Sequence, residues 1–248
     1  MGSLEFGGYF VKGVILAAGN GSRLGNLTAN VPKSLLDIAG RPLIDYTIDA
    51  MKVTGVEEFI IVTGYLGDTL EDDLRERRSD VSLTFVRNPD YQRANGYSLR
   101  RARRAIGDSA FLLAMADHML SEALLTRLQL GAGGHDAVAV DYSPKDFDTV
   151  AEATRVLVHE DFVVAISKDL DPWSGLDAGA FHLTPLVFEA MDDIPDDSQL
   201  SAILQRHIAL GCPLRAVDVS GAFWMDVDTV ADYNLAQSLI AGDAQPVV

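Results

Sequence analysis

The chain is poor in residues that mark several large protein classes. It has a single cysteine, Cys212, in 248 residues, which excludes an internal disulfide and a cysteine-based zinc cluster and suits a reducing compartment. No apolar run approaches the roughly 20 residues that cross a bilayer. The opening Met1-Gly2-Ser3-Leu4-Glu5-Phe6 lacks the basic and apolar regions of a secretory signal, so a cytoplasmic location is expected. Basic charge is scarce too: 20 Lys and Arg stand against 36 Asp and Glu, a formal net charge of −16. So acidic a surface disfavours broad binding to nucleic acid or anionic membrane. A small anionic ligand is still accommodated, because its site needs only a few local cations or a metal ion.

What remains is the composition of a globular protein, 48% hydrophobic and 23% charged. In the first half, strand-like runs at Val14–Ala18, Phe59–Thr63, Ser82–Val86, Phe111–Met115 and Ala137–Asp141 alternate with helical spacing. The helical stretches are Leu43–Val53, Leu66–Arg77, Ser98–Ile106 and Glu122–Leu130. This alternation predicts βαβ units, right-handed crossovers and a mostly parallel sheet. The second half reads differently. Arg155–His159 and Val163–Ser167 suggest a hairpin about Glu160-Asp161, followed by a strand at Ala178–Leu183 and helices at Pro185–Met191 and Gln199–Leu210. A strand at Leu214–Val219 and a helix at Val230–Ile240 close the chain. The expectation is an α/β, Rossmann-like, mostly parallel sheet with helices on both faces and added antiparallel strands in the C-terminal half. It occupies residues 13–240 as one domain. Residues 1–12 form an N-terminal extension whose first residues need not be native, and residues 241–248 form a tail.

The strongest local signal is Val14-Ile15-Leu16-Ala17-Ala18-Gly19-Asn20-Gly21-Ser22-Arg23-Leu24-Gly25, with Pro32-Lys33 beyond it. A buried strand runs directly into a glycine-rich loop, whose amides can gather round phosphate oxygens. Arg23 adds a cationic fork suited to phosphate. Two familiar phosphate motifs fail on spacing. A P-loop needs glycine immediately before Lys-Ser, where Pro32 stands. A dinucleotide fingerprint wants its third glycine three residues after the second, and here the interval is four. An NAD-dependent reductase is therefore disfavoured.

Carboxylates follow two apolar runs. Asp117 ends Phe111-Leu112-Leu113-Ala114-Met115-Ala116, and Asp226 and Asp228 follow Phe223-Trp224-Met225. Open parallel sheets bind ligands beyond strand carboxyl ends. Mg²⁺ takes one or two carboxylates together with phosphate oxygens and water, so Asp117 and Asp226 suffice as metal ligands. Asp228 is read as the cap of the following helix, and His118 as a residue that shapes the site. Asn95 offers a donor and an acceptor, and Gly96 lets a base lie against the backbone, although an Asn-Gly turn before a capped helix explains the same letters. Arg100, Arg101, Arg103 and Arg104 read as a solvated helix face offsetting the acidic surface.

The Leu16-Ala17-Ala18-Gly19-x-Gly21-x-Arg23-Leu24-Gly25 run with Pro32-Lys33 resembles the opening motif of nucleotidyltransferases that make nucleoside-diphosphate sugars and related alcohols. Ala116-Asp117-His118, Asn95-Gly96-Tyr97-Ser98-Leu99 and Trp224-Met225-Asp226-Val227-Asp228-Thr229 resemble segments of the inositol-1-phosphate cytidylyltransferase group. Ala94 and Ala116 replace glycines of that group. Asp177-Ala178-Gly179-Ala180-Phe181 is similar to its Asp-Thr-Gly-x-Phe strand, with Ala178 in place of threonine. The likeness runs from about Val14 to about Asn234 and is weakest over Asp141–Val150.

The resemblance implies a Mg²⁺-dependent transfer from CTP, or another nucleoside triphosphate, to a phosphorylated alcohol or sugar, inositol 1-phosphate above all. It implies catalytic roles for Arg23 and Lys33, and nucleotide contacts from Leu16, Ala17, Ala18, Gly19, Gly21, Asn95, Gly96 and Asp117. Glu152, Lys168 and Asp177 would meet the acceptor, while Asp117 and Asp226 would hold the metal. Sugar-1-phosphate, phosphocholine and phosphonate nucleotidyltransferases are the nearest alternatives, and a non-catalytic nucleotide-binding domain the alternative from another class. Neither a nucleic-acid nor a membrane partner is expected, and a homo-oligomer is compatible with the sequence.

Overall fold

In the computed structural model, which describes residues 11–143 and 153–242, nine strands join in one sheet with helices packed on both faces. The strands are β1 (Lys12–Ala17), β4 (Glu58–Thr63), β5 (Ser82–Arg87), β6 (Phe111–Met115), β8 (Asp136–Asp141), β9 (Arg155–His159), β10 (Phe162–Ser167), β11 (Gly175–Leu183) and β12 (Leu214–Asp218). Two small ladders lie apart from it, β2 (Asp37–Ile38) with β3 (Arg41–Pro42), and β7 (His118–Leu120) with β13 (Trp224–Asp226). The helices are α1 (Leu43–Val53), α2 (Gly67–Arg77), α3 (Asn95–Ile106), α4 (Glu122–Ala132), α5 (Val187–Asp192), α6 (Leu200–Ala209) and α7 (Val230–Ala241).

Period-two alternation builds the layers. On β1, Ile15 and Ala17 enter one core with Ile44, Ile48 and Met51 of α1, Leu70 and Leu74 of α2, and Leu124 and Leu128 of α4. Val14 and Leu16 point the other way, toward Leu99, Ala102 and Ile106 of α3, Phe188 of α5, and Ile203 and Leu204 of α6. A strand covered on both faces has no polar side to show, hence the continuous Val-Ile-Leu-Ala run. The sheet order is β5-β4-β1-β6-β11-β8-β12-β10-β9. Its first four strands are mutually parallel. Strand β11 enters antiparallel between β6 and β8, and β9 and β10 close the far edge as a hairpin. Glu160 and Asp161 make that hairpin's turn at φ 47° and 67°, on the side of φ space that tight hairpins use.

Register determines where chemistry can sit. Ala17 pairs with Thr63 on β4, and Leu16 with Met115 on β6, so the carboxyl ends of three parallel strands lie level. The loops after β1, β4 and β6 therefore share one rim. On that rim β13 lies antiparallel to β7 with Asp226 opposite His118, and the Val227 amide donates to the Asp117 carbonyl at 2.9 Å. The long elements follow the sequence reading closely. The two small ladders do not appear in it, because strands of two or three residues carry no measurable period.

Candidate active site

The turn after β1 depends on glycine for its shape. Gly21 and Gly25 take φ 60° and 58°, conformations that only glycine adopts cheaply. The Leu24 amide and the Thr28 hydroxyl donate to the Gly21 carbonyl at 2.9 and 3.0 Å, tightening the loop that carries Arg23. A Cβ on Gly21 would stand 3.0 to 3.2 Å from Thr28 and Lys33 side-chain atoms, so the loop also needs glycine for closeness to Lys33. A Cβ on Gly19 would meet nothing within 4 Å, which leaves that backbone open to the rim.

Beside this loop lies a chain of alternating charges. The Lys33 side chain is 10% exposed and donates to Asp117 Oδ2 at 2.9 Å and to Asp228. Arg23 reaches the other oxygen of Asp228. His118 lies between two carboxylates, with Nδ1 2.8 Å from Asp117 Oδ1 and Nε2 2.8 Å from Asp226 Oδ1. Burial alone would lower the Lys33 ammonium, but Asp117 and Asp228 overcome it and hold its pKa above the ordinary value. Burial would raise Asp117, yet Lys33 and His118 hold its carboxyl well below the usual carboxylate range. Burial likewise opposes a charged His118, and Asp226 with Asp117 carries it well above the ordinary histidine value. Arg23, Lys33 and His118 thus interleave with Asp117, Asp226 and Asp228.

Asp117 and Asp226 retain 31% and 40% side-chain exposure and are hard oxygen donors held by one imidazole. Among the described residues no three His, Cys, Asp or Glu side chains converge as a metal cage. Two carboxylates without a cage suit Mg²⁺, which keeps water and substrate phosphate as its remaining ligands. Asp177 stands nearby on β11, its Oδ1 accepting from the Gly179 amide at 2.8 Å. Burial pushes its carboxyl up to about 7; the Gly179 amide and His118 oppose the rise, and Asp226 adds to it.

Arg23, Lys33, Asp117, Asp226 and Asp177 thus gather at one rim with the Leu16–Gly21 backbone. Other expectations require correction. Asp228 does not cap α7. Thr229 does so, accepting the Asp232 amide in a reciprocal capping box, which frees Asp228 for Lys33 and Arg23. Asn95 Oδ1 accepts the Leu200 amide at the start of α6, at 2.8 Å. A Cβ on Gly96 would lie 2.3 Å from the Ser198 carbonyl oxygen, so packing of α3 against the chain entering α6 itself requires glycine here. Arg100 and Arg103 are not merely solvated, since both pair with Asp192. Lys168 is exposed just past β10. Glu152 lies outside the described residues.

Three features escaped the sequence reading. The first is the double bridge of His118, readable only once β13 is known to pair with β7. The second is Gly179 (φ 75°), where a Cβ would fall 2.0 Å from His118 Cδ2, so the ring rests on a bare backbone. The third is Gly64-Tyr65 after β4. The Tyr65 amide donates to the Ala18 carbonyl at 3.0 Å, and the Tyr65 hydroxyl to the Ala29 carbonyl at 3.0 Å, clamping the glycine loop from both ends. One signal for Asp228 was present: in extended chain, residues two apart project to the same side, so Asp226 and Asp228 belong to one wall.

The chain is similar to known proteins over most of its length. The family profile of the MobA-like NTP transferase domain matches residues 13–209. The bifunctional IPC transferase and DIPP synthase of Rubrobacter xylanophilus is 34% identical over 94% of this chain and 52% of its own length. That of Aquifex aeolicus is 33% identical over 93% of this chain and 52% of its own length. The chain therefore spans about half the length of these curated relatives. The inositol-1-phosphate CTP transferase of T. maritima superposes with a TM-score of 0.80 at 26% identity, covering 97% of this chain and 100% of that one. A UDP-glucose pyrophosphorylase bound to UDP-glucose shares the fold at TM-score 0.82 and 20% identity, over 95% of this chain and 100% of that one.

Proposed function

The chain belongs to the MobA-like NTP transferase family, and within it we propose that this protein joins CTP to inositol 1-phosphate, releasing pyrophosphate and a CDP-alcohol. The observation that carries the reaction class is the convergence of Arg23, Lys33, Asp117 and Asp226 on the rim beyond β1, β6 and β13. The substrates are argued from the T. maritima structure and from the IPC transferase relatives.

The chemistry asks little of the protein beyond charge and alignment. A phosphate oxygen of the acceptor attacks the α-phosphorus, a new P–O bond forms, and the bond to pyrophosphate breaks on the opposite side. A phosphomonoester with a second pKa of about 6 is largely dianionic at neutral pH, so the acceptor needs no general base. Arg23 and the loop amides at Gly19 and Gly21 would hold the departing pyrophosphate. Lys33, fixed by two carboxylates, would offset charge at the transferred phosphoryl group without reorganising during the reaction. The Leu16–Ala18 backbone would line the nucleotide side. Family members generally work with a divalent metal; here Asp117 and Asp226 would hold Mg²⁺, which when bound supplies charge neutralisation on the triphosphate. His118 keeps both carboxylates turned to the same place. Asp177 on β11 and the exposed Lys168 form the proposed acceptor side, and Glu152 is assigned to it from the sequence alone.

The test is pyrophosphate release from a matrix of CTP, UTP, ATP and GTP against inositol 1-phosphate, glucose 1-phosphate and phosphocholine. CTP with inositol 1-phosphate should be the fastest pair. A site that reads a base by hydrogen bonds rejects the others strongly, because their groups are left unpaired. Faster turnover with phosphocholine or with a purine nucleotide would overturn the substrate assignment.

A further inference from the structure

Asp228 is held more firmly than a surface turn residue requires. Its amide donates to Asp232 Oδ2 at 3.1 Å, inside the capping box of α7, and the buried Val227 anchors the segment to Asp117 from the other side. Its two oxygens are divided between two cations of opposite character. Lys33, 10% exposed, is enclosed between Asp228 and Asp117, whereas the Arg23 side chain is 56% exposed at the mouth of the site. An exposed pair is weak and exchanges readily, while an enclosed one keeps its geometry.

We propose that Asp228 is a positioning residue that occupies the place of the triphosphate. It holds Arg23 over the rim until nucleotide arrives, then yields Arg23 to the phosphates while continuing to orient Lys33. A carboxylate facing the phosphate site opposes anion binding, and the same carboxylate sets the direction of the ammonium that serves the transferred group. Asp228 therefore lowers affinity for the nucleotide and raises turnover. Residues Gly21 and Gly25 flank Arg23 and allow its loop to pass from one anion to the other.

This inference rests on the nucleotidyl-transfer reading, but its test does not need the base or the acceptor. The probe is inorganic pyrophosphate, titrated calorimetrically at fixed Mg²⁺ into the unmodified protein, Asp228→Asn and Asp228→Glu. Asparagine keeps the size and one acceptor oxygen while removing the charge. It should tighten pyrophosphate binding about two- to fivefold, the scale of one exposed ion pair released. With CTP and acceptor, the same variant should lower KM for CTP and lower kcat at least about tenfold. Glutamate restores the charge, and should return pyrophosphate affinity to that of the unmodified protein and recover part of kcat. Unchanged or weaker pyrophosphate binding by Asp228→Asn would overturn the proposal, as would no binding to any of the three proteins. A fall in melting temperature with unaltered kinetics would also overturn it, marking a helix-end role. Should the unmodified protein bind pyrophosphate but fail to turn over CTP with inositol 1-phosphate, the substrate reading falls and the Asp228 result is still read from the pyrophosphate titration.

Discussion

Replacing Lys33 by methionine removes one charge from the centre of the site while keeping most of the stem. At an effective dielectric constant near 20, unit charges 2.9 Å apart attract by about 6 kcal/mol, which is the gross scale of the Lys33–Asp117 contact. Desolvating the ammonium cancels most of that gain. Removing one partner from a fully buried pair costs about 3–5 kcal/mol. Asp117 and Asp228 keep 31% and 21% of their side-chain exposure, so water screens the charges left behind. A loss of about 1–3 kcal/mol is therefore expected for Lys33→Met, read as a lower urea midpoint at unchanged slope. The functional change should be larger and should split in sign. Turnover by pyrophosphate release should fall at least about a hundredfold, the scale of losing one preorganised charge stabiliser. Mn²⁺ binding in the absence of nucleotide, followed by calorimetry, should tighten, because Asp117 loses the cation that competes with the metal. A variant with turnover within about threefold of the unmodified protein and the same Mn²⁺ affinity would remove Lys33 from the transfer step, since that scale is far below the expected loss.

Asp117→Asn and Asp226→Asn should each lower Mg²⁺-dependent turnover at least about a hundredfold with the far-ultraviolet circular dichroism unchanged, and retained activity in both would remove the metal assignment. Gly96→Ala should destabilise the protein by about 1–3 kcal/mol through collision with the Ser198 carbonyl, measured by urea unfolding, with CTP affinity of the folded fraction preserved. For Asp177→Asn the sign follows from a folded-state pKa pushed up to about 7, against about 3.9 in the unfolded chain. The folded state binds more protons between those values, so the carboxyl increasingly destabilises the fold as pH rises through that window. Asparagine keeps the acceptor for the Gly179 amide. The metal-free variant should therefore gain melting temperature at pH 8 and progressively less as pH falls toward 4, and a gain independent of pH would contradict the account.

The long elements and the glycine loop were legible because each rests on local information. A fully buried strand reads as a continuous apolar run, and the loop's glycines mark where backbone must turn or come close. Asp117 was legible as a strand-end carboxylate. What the sequence concealed was pairing over distance. His118 and Asp226 are 108 residues apart and meet through a three-residue ladder too short to announce itself. Asp228 stands two residues before a helix, beside the position where capping is the commoner role, and only the neighbouring Thr229-Asp232 box shows that the cap is already supplied. Asn95 and Gly96 carry a second requirement that their letters do not announce, the entry of the chain into α6 more than 100 residues later.

The most direct measurement of the central claim is phosphorus NMR of the protein with CTP, inositol 1-phosphate and Mg²⁺. Nucleotidyl transfer should consume the CTP and phosphomonoester signals and yield, in equal amounts, free pyrophosphate and a diphosphate diester, with none of this from Lys33→Met on the same time scale. Conversion of CTP without a diphosphate diester, or the same product at an undiminished rate from Lys33→Met, would contradict it.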